Sequence, residues 1–114
     1  MKTKINTTNI GKDFETRAVN YLRSNQFEII DINYFAKKLG EIDIIAKKNS
    51  VYHFVEVKSC QNFEAIYNIT PQKLHKLYRS IELYLKHKKL DVDYCVDVII
   101  FSGDDLEYLE NISM

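Results

Sequence analysis

Glycine, proline and cysteine are scarce in this sequence, which has three glycines, one proline and two cysteines among 114 residues. With so few glycines and prolines, no flexible linker divides the chain, and its length suits one domain with one hydrophobic core. Cys60 and Cys95 form neither a disulfide framework nor a metal-binding pair. Both are therefore interpreted as buried or partly buried thiols without a role.

Long apolar segments are also absent. No run approaches the ~20 apolar residues that a membrane span requires, which excludes an α-helical membrane protein. The N-terminal sequence MKTKINTTNIGKDF lacks the apolar stretch of a secretory signal peptide. We therefore expect a cytoplasmic location and no membrane partner.

An excess of charge of either sign is absent too, because 16 Lys and Arg residues balance 16 Asp and Glu residues. This neutrality counts against a simple nucleic-acid-binding protein, although the charges are unevenly distributed. The basic segment contains Lys73, Lys76, Arg79, Lys86, Lys88 and Lys89, and the acidic segment contains Asp91, Asp93, Asp97, Asp104, Asp105, Glu107 and Glu110. A neutral total can thus hide a basic face, but composition alone favours two solvated surfaces of opposite sign.

Apolar periodicity predicts two helices and five strands in the order αβββαββ. The first helix is expected from Thr8 or Asn9 to about Asn25, and the second begins at the N-cap Thr70 with Pro71 in its first turn. The predicted strands run over residues 27–34, 42–46, 51–58 and 94–101, with a short last strand from Leu106. The predicted buried stripes are Phe14, Ala18, Tyr21 and Leu22 in the first helix, and Leu74, Leu77, Tyr78, Ile81, Tyr84 and Leu85 in the second.

Polar residues interrupt two of these apolar strands. Residues 47–50 are typical of a hairpin turn, so the second and third strands should pair antiparallel, which brings Asp43 next to Glu56. Side-chain alternation then puts Glu56 and Lys58 on one face of the third strand, and in the second strand it puts Ile42 and Ile44 opposite Glu41, Asp43 and Ile45. Two close carboxylates raise each other's pKa unless a cation such as Mg²⁺ intervenes. Glu15, bordering the stripe of the first helix, would complete the cluster, and Lys58 could position or deprotonate an attacking water.

The simpler interpretation of any one such pair is an exposed ion pair at a sheet edge, as for Glu56 and Lys58. Four residues on two strands and a helix favour a site instead. The histidines His53, His75 and His87 are scattered without metal-ligand spacing, so they are interpreted as surface or packing residues.

Residues 40–43, Gly-Glu-Ile-Asp, followed by residues 54–58, Phe-Val-Glu-Val-Lys, resemble the Asp…Glu-x-Lys signature of the restriction-endonuclease-like superfamily. Over residues 9–101 the chain resembles the YraN family, bacterial proteins similar to Holliday-junction resolvases. Further matches to the pattern of that family are Gly11, Glu15, Ala18, Tyr21 and Leu22 in the first helix, Lys73 in the second, and residues 96–99 in the fourth strand.

The resemblance implies that residues 1–114 form one restriction-endonuclease-like domain, an α/β core with a mixed β-sheet flanked by helices. It also implies a Mg²⁺ or Mn²⁺ ion held by Asp43, Glu56 and the backbone carbonyl of Val57. Glu15 would be a further acidic group, and Lys58 takes the place of the catalytic lysine.

The expected activity is metal-dependent hydrolysis of phosphodiesters in DNA, at branched or recombination intermediates. Gln72 or Lys73 would face the site, while Lys76 and Arg79 would hold the DNA backbone, with added contact from Lys37 and Lys38. Resolvases act as symmetric dimers because a four-way junction presents two equivalent strands. The dimer interface would be formed by Phe63, Ile66 and Tyr67. Alternatively, these residues would pack over the hydrophobic core.

Two residues depart from the pattern. Ile42 stands before Asp43 where the superfamily has proline. Cys60 replaces a basic residue, which removes one phosphate contact. The neutral net charge and the missing basic residue at Cys60 favour an alternative function. In that alternative the protein is a nucleic-acid-binding or protein-interaction module that keeps the fold without turnover. The crowded carboxylates and Lys58 favour the nuclease, and a purely structural protein would leave them unexplained.

Overall fold

The computed structural model describes residues 7–36, 40–60 and 69–112, with side chains from Asp13 onward. The elements are α1 (Thr7–Ser24), β1 (Glu28–Phe35), β2 (Glu41–Lys48), β3 (Val51–Cys60), α2 (Pro71–Lys88), β4 (Asp93–Ser102) and β5 (Asp105–Leu109). The predicted α/β fold and its order αβββαββ are confirmed. Lys37, Lys38, Phe63, Ile66 and Tyr67 lie outside the described residues, as do the side chains of Thr8 and Asn9.

The five strands form one mixed sheet in the order β1-β2-β3-β4-β5. Neighbouring strands are antiparallel except for β3 and β4, which are parallel because α2 crosses between them. The β2–β3 turn consists of Asn49 and Ser50, both left-handed with φ of 52° and 69°. Two such residues match the twist of an antiparallel hairpin. The predicted hairpin is therefore correct, although Lys47 and Lys48 extend β2.

Each face of the sheet is covered by one helix. On one face Ala18 and Leu22 of α1 pack with Ile44 and Val55. On the other face α2 packs with Phe54 and its neighbours, and the buried residues there include Leu74, Ile81, Tyr84 and Val96. Burying one such apolar side chain contributes about 1.5–3 kcal/mol. Because α1 and α2 lie on opposite faces of the sheet, the core has two layers.

Helix α2 begins and ends with strong capping signals. Thr70 Oγ1 accepts a hydrogen bond of 3.2 Å from the backbone N–H of Lys73, and Pro71 occupies the first turn, as predicted. After Lys88 the C-cap residue Lys89 has a left-handed backbone with φ of 57°. Neither helix of the described ranges is long and apolar enough to cross a membrane.

Side-chain alternation is interrupted in β2. Ile42 and Ile45 pack on the α2 side of the sheet, whereas Ile44 and Ala46 pack on the α1 side. Strict alternation would have placed Ile42 and Ile44 on one face, so that prediction is wrong. The break falls around Asp43, opposite β1 residue Asn33, which has a φ of 57°. An irregularity of this kind re-aims side chains at a strand end.

One member of the predicted acidic surface is buried instead. Asp97 on β4 has 0% of its surface exposed. His53 Nδ1 lies 2.6 Å from Asp97 Oδ2, which also accepts a hydrogen bond from the Tyr108 hydroxyl. Buried carboxylates require such partners. The assignment of Asp97 to a solvated acidic surface is therefore wrong, because strand alternation turns it into the interior.

Candidate metal centre

The sheet forks between β2 and β3. Backbone pairing of these strands runs from the hairpin turn to Ile44 and Val55 and goes no further. Beyond that pair β2 continues against β1 to Glu41, while β3 continues against β4 to Cys60. The next two positions after the last pair are Asp43 and Glu56. The predicted acidic pair therefore lies where the strands separate.

The Asp43 carboxylate bridges this fork. Its Oδ2 accepts a hydrogen bond of 2.9 Å from the backbone N–H of Val57 on β3. The N–H and C=O groups of one strand residue point to the same side of the strand. The carbonyl oxygen of Val57 thus also faces the fork. Asp43, Glu56 and the Val57 carbonyl, the three predicted ligands, are brought together at this point.

Burial and neighbouring groups perturb the pKa values of Asp43 and Glu56. The pKa of Asp43 is raised from 3.8 to about 8, first by burial and then by the charge of Glu56, while the Val57 N–H opposes the shift. The pKa of Glu56 is also raised, mainly by burial, and the nearby charge of Lys58 lowers it in part. At neutral pH the pair therefore holds a shared proton, in the place that a cation could occupy.

Two more carboxylates adjoin Asp43. Oxygen atoms of Glu15, Glu41 and Asp43 all lie within 4.8 Å of one another. Glu15 comes from α1, as predicted. The pKa of Glu41 is raised by burial and by the charges of Asp43 and Glu15. Four carboxylates thus surround the fork.

Glu41 was missed as a site residue by sequence reasoning. Two signals pointed to it. It stands two positions before Asp43 in the same strand, a spacing that shares a face. It also belongs to the Gly-Glu-Ile-Asp block at residues 40–43. A glutamate exposed at a strand end is otherwise ordinary, so neither signal distinguished it from a surface residue.

Lys58 is the cation beside the pair. Its Nζ lies 3.7 Å from Glu56 Oε2, and the two side chains are 32% and 28% exposed. Both residues line a cavity of about 30 Å³, together with Lys73 and Leu74 of α2. Lys73, a predicted substrate-binding residue, therefore lies beside Glu56 and Lys58.

The other predicted substrate-binding residues are exposed on α2. Gln72, Lys76 and Arg79 are spaced by four and then three residues, so they form one stripe along the helix surface. Lys73 stands at the end of the helix that faces Glu56 and Lys58. The stripe therefore leads away from the fork along one exposed surface.

The chemistry of the donors favours a hard divalent cation. The fork offers carboxylate oxygens and one backbone carbonyl oxygen, and Mg²⁺ and Mn²⁺ prefer such ligands. Four carboxylates with the two neighbouring lysines Lys58 and Lys73 leave an excess of negative charge among the described residues. A divalent ion would remove the repulsion that raises the pKa of Asp43. The residues present thus fit the predicted ion.

Comparison with known proteins gives the family. The profile described as Uncharacterised protein family UPF0102 matches residues 14–101. The chain belongs to this family. The predicted resemblance to the YraN family is thereby confirmed, since UPF0102 is that family. The matched residues include every predicted site residue, from Glu15 to Arg79.

UPF0102 proteins of several bacteria align with nearly the whole chain. The chain is 52% identical over 101 residues to a UPF0102 protein of Aliarcobacter butzleri, covering 88% of this chain and 92% of the relative. It is 48% identical over 105 residues to one of Sulfurovum sp., covering 91% and 93%. It is 51% identical over 94 residues to one of Wolinella succinogenes, covering 82% and 86%.

Proposed function

We propose that this UPF0102 protein is a metal-dependent endonuclease that hydrolyses phosphodiester bonds in DNA, acting on branched or recombination intermediates. The observation that carries the proposal is the fork between β2 and β3. There burial and the charge of Glu56 hold the pKa of Asp43 at about 8, and burial raises the pKa of Glu56, so two carboxyl groups are crowded where the strands separate. A structural role would not require carboxylates to be crowded in this way.

Each residue at the fork has a role in such a reaction. Asp43, Glu56 and the Val57 carbonyl would hold the divalent ion, which supplies Lewis acidity and a water of lowered pKa when bound. The Lys58 ammonium, held near Glu56, would orient the attacking water or neutralise charge on the phosphate. Glu15 and Glu41 would accept hydrogen bonds from waters around the ion.

DNA would be held along α2. Lys73 lies beside Glu56 and Lys58, where it would contact the phosphate next to the scissile bond. Gln72, Lys76 and Arg79 extend this contact over the exposed helix surface. Backbone contacts of this kind position DNA without reading its sequence, which suits recognition of a branched shape.

A cleavage panel tests the proposal. Linear, flapped and four-way DNA are incubated with Mg²⁺ or Mn²⁺ and either the wild-type protein, Glu56→Gln, or Glu107→Gln as a control at an exposed position on β5. We expect metal-dependent cleavage of the four-way or flapped DNA. Glu56→Gln should slow it by about 100-fold or more, whereas Glu107→Gln should leave it unchanged. Equal cleavage by Glu56→Gln, or cleavage that persists in EDTA, would contradict the proposal.

The second candidate is a nucleic-acid-binding or protein-interaction module that keeps the fold without turnover. The net charge of zero and Cys60 in place of a basic residue favour it. A metal titration separates the two candidates, because an ion that binds the folded protein raises its melting temperature. A working site predicts a rise with Mg²⁺ that Asp43→Ala abolishes. No rise at millimolar metal, with DNA bound but uncut, favours the module.

A further inference from the structure

A second group of polar side chains is buried near the start of β3 and β4, apart from the fork. In the parallel register His53 lies opposite Cys95, and Asp97 follows two residues later on the same face of β4. His53 is 5% exposed and Asp97 is 0% exposed. Their ligand atoms, with Cys95 Sγ, all lie within 4.8 Å of one another. The fold thus gathers a nitrogen, a sulfur and an oxygen donor from two strands.

The distances within this cluster suit a shared cation. Cys95 Sγ is 3.1 Å from His53 Nδ1 and 3.4 Å from Asp97 Oδ1, and His53 Nδ1 is 2.6 Å from Asp97 Oδ2. Tetrahedral Zn²⁺ with bonds of about 2.0–2.3 Å separates its ligands by about 3.3–3.6 Å. Binding would therefore require the three side chains to move apart by less than about 1 Å.

Neighbouring groups already hold the two most buried ligands in place. Asp97 accepts hydrogen bonds from the Tyr108 hydroxyl and, at 2.9 Å, from the backbone N–H of Asn111. The Phe27 ring meets the His53 ring edge-on, with centroids 4.9 Å apart. Partners of this kind orient metal ligands and tune their affinity. Tyr108, the Asn111 N–H and Phe27 would keep these contacts after a cation had replaced the protons between His53, Cys95 and Asp97.

The cluster is open on one side. His53 and Cys95 line a cavity of about 580 Å³ that also contacts Glu110 and Asn111. An ion could enter by this route, and a water or the Glu110 carboxylate could fill a fourth position. Structural zinc sites are closed by four protein ligands, whereas sites with three protein ligands keep one position for water.

We propose that His53, Cys95 and Asp97 form a second metal site, selective for Zn²⁺ and similar borderline cations. Among the described residues the fork supplies only oxygen donors and suits Mg²⁺ or Mn²⁺, whereas imidazole and thiolate select zinc-type ions. The bound ion would link β3 and β4 to residues 110–112, because Asp97 also holds the backbone of Asn111. The two sites therefore differ in ligand chemistry as well as in position.

Cobalt substitution tests this site directly. Reduced, metal-free protein is titrated with Co²⁺, whose thiolate bond gives a charge-transfer band that carboxylate ligands cannot produce. We expect a band that saturates and that disappears on addition of Zn²⁺. Cys95→Ser should abolish the band and weaken Zn²⁺ binding by about 100-fold or more, and Tyr108→Phe should weaken binding by about 10-fold.

Matched variants separate this site from other metal binding. Cys60→Ser changes the other cysteine and should retain the band, as should Asp43→Asn at the fork. Circular dichroism of Cys95→Ser confirms that the variant is folded. Absence of a thiolate–cobalt band in the wild type, or its persistence in Cys95→Ser, overturns the proposal and leaves a hydrogen-bonded network only. Either result is independent of DNA cleavage, because the nuclease proposal depends on Asp43 and Glu56.

Discussion

A carboxylate oxygen of Glu15 on α1 lies within 4.8 Å of one of Asp43 on β2. This proximity depends on the packing of Ala18 and Leu22 against Ile44, which places α1 over the forked end of the sheet. The first helix therefore covers the core and also supplies a side chain to the candidate metal centre. Substitutions at the fork should change stability, metal affinity and cleavage together.

The first prediction concerns stability and pH in the absence of metal. Asp43 has a pKa of about 8 in the folded protein and an ordinary value of 3.8. The folded state thus holds a proton that the unfolded chain loses above pH 4, so the free energy of unfolding should fall as the pH rises from about 4 to 8. An asparagine at this position cannot ionise, and its amide oxygen can still accept from the Val57 N–H. Asp43→Asn should therefore be more stable than the wild type at pH 8, by roughly 2 kcal/mol.

Urea unfolding in EDTA at pH 5 and pH 8 measures this effect. The control is Asp104→Asn in the exposed turn before β5. It should show the same dependence on pH as the wild type. If the free energy of unfolding of Asp43→Asn fell with pH as steeply as that of the wild type, the raised pKa assigned to Asp43 would be contradicted.

The second prediction concerns Glu41, which adjoins Glu15 and Asp43. Glu41→Gln removes one negative charge and keeps the shape of the side chain. We expect the affinity for Mg²⁺ to fall by about 10-fold, because groups around a ligand tune its metal affinity by this amount. Calorimetric titration measures the change. Glu28→Gln, at the exposed opposite end of the β1–β2 pair, should bind as the wild type does. Identical affinity in both variants would remove Glu41 from the site.

The third prediction separates the DNA contacts along α2. Lys73 lies beside Glu56 and Lys58, whereas Lys88 is exposed in the last turn of the same helix. Lys73→Ala should make the slope of log affinity against log salt concentration less negative by about one, as expected for one lost phosphate contact. Lys88→Ala removes the same charge from the far end of the helix and should change the slope less. Binding of four-way DNA in EDTA at several salt concentrations measures both slopes, and equal slopes would place the DNA elsewhere.

The fourth prediction concerns Asp97. Asp97→Ala would leave His53, the Tyr108 hydroxyl and the Asn111 N–H without their acceptor in the interior. The free energy of unfolding should fall by roughly 3 kcal/mol or more. Asp93→Ala, exposed at the start of the same strand, should change it by less than about 0.5 kcal/mol. Chemical denaturation of both variants gives the comparison, and similar values would show that the buried network contributes little.

Local sequence determined much of this protein. The caps of α2 act through their immediate neighbours, since Thr70 bonds to Lys73 within one turn. The hairpin at Asn49 and Ser50 sets the β2–β3 register, so symmetry about the turn was enough to predict that Asp43 and Glu56 adjoin. These relationships depend on short segments, whose preferred conformations are visible in residue type and spacing.

The tertiary structure alone decided the rest. The interruption of β2 around Asp43 has no signal in the alternation of the sequence, and the approach of Glu15 to Asp43 and Glu41 depends on how α1 packs on the sheet. His53 and Asp97 come together only because α2 carries the chain across the sheet and lays β4 parallel to β3. A contact across such a crossover depends on how helices and strands pack, and packing is a property of the whole chain. For that reason Asp97 resembled a surface residue in the sequence and is buried in the structure.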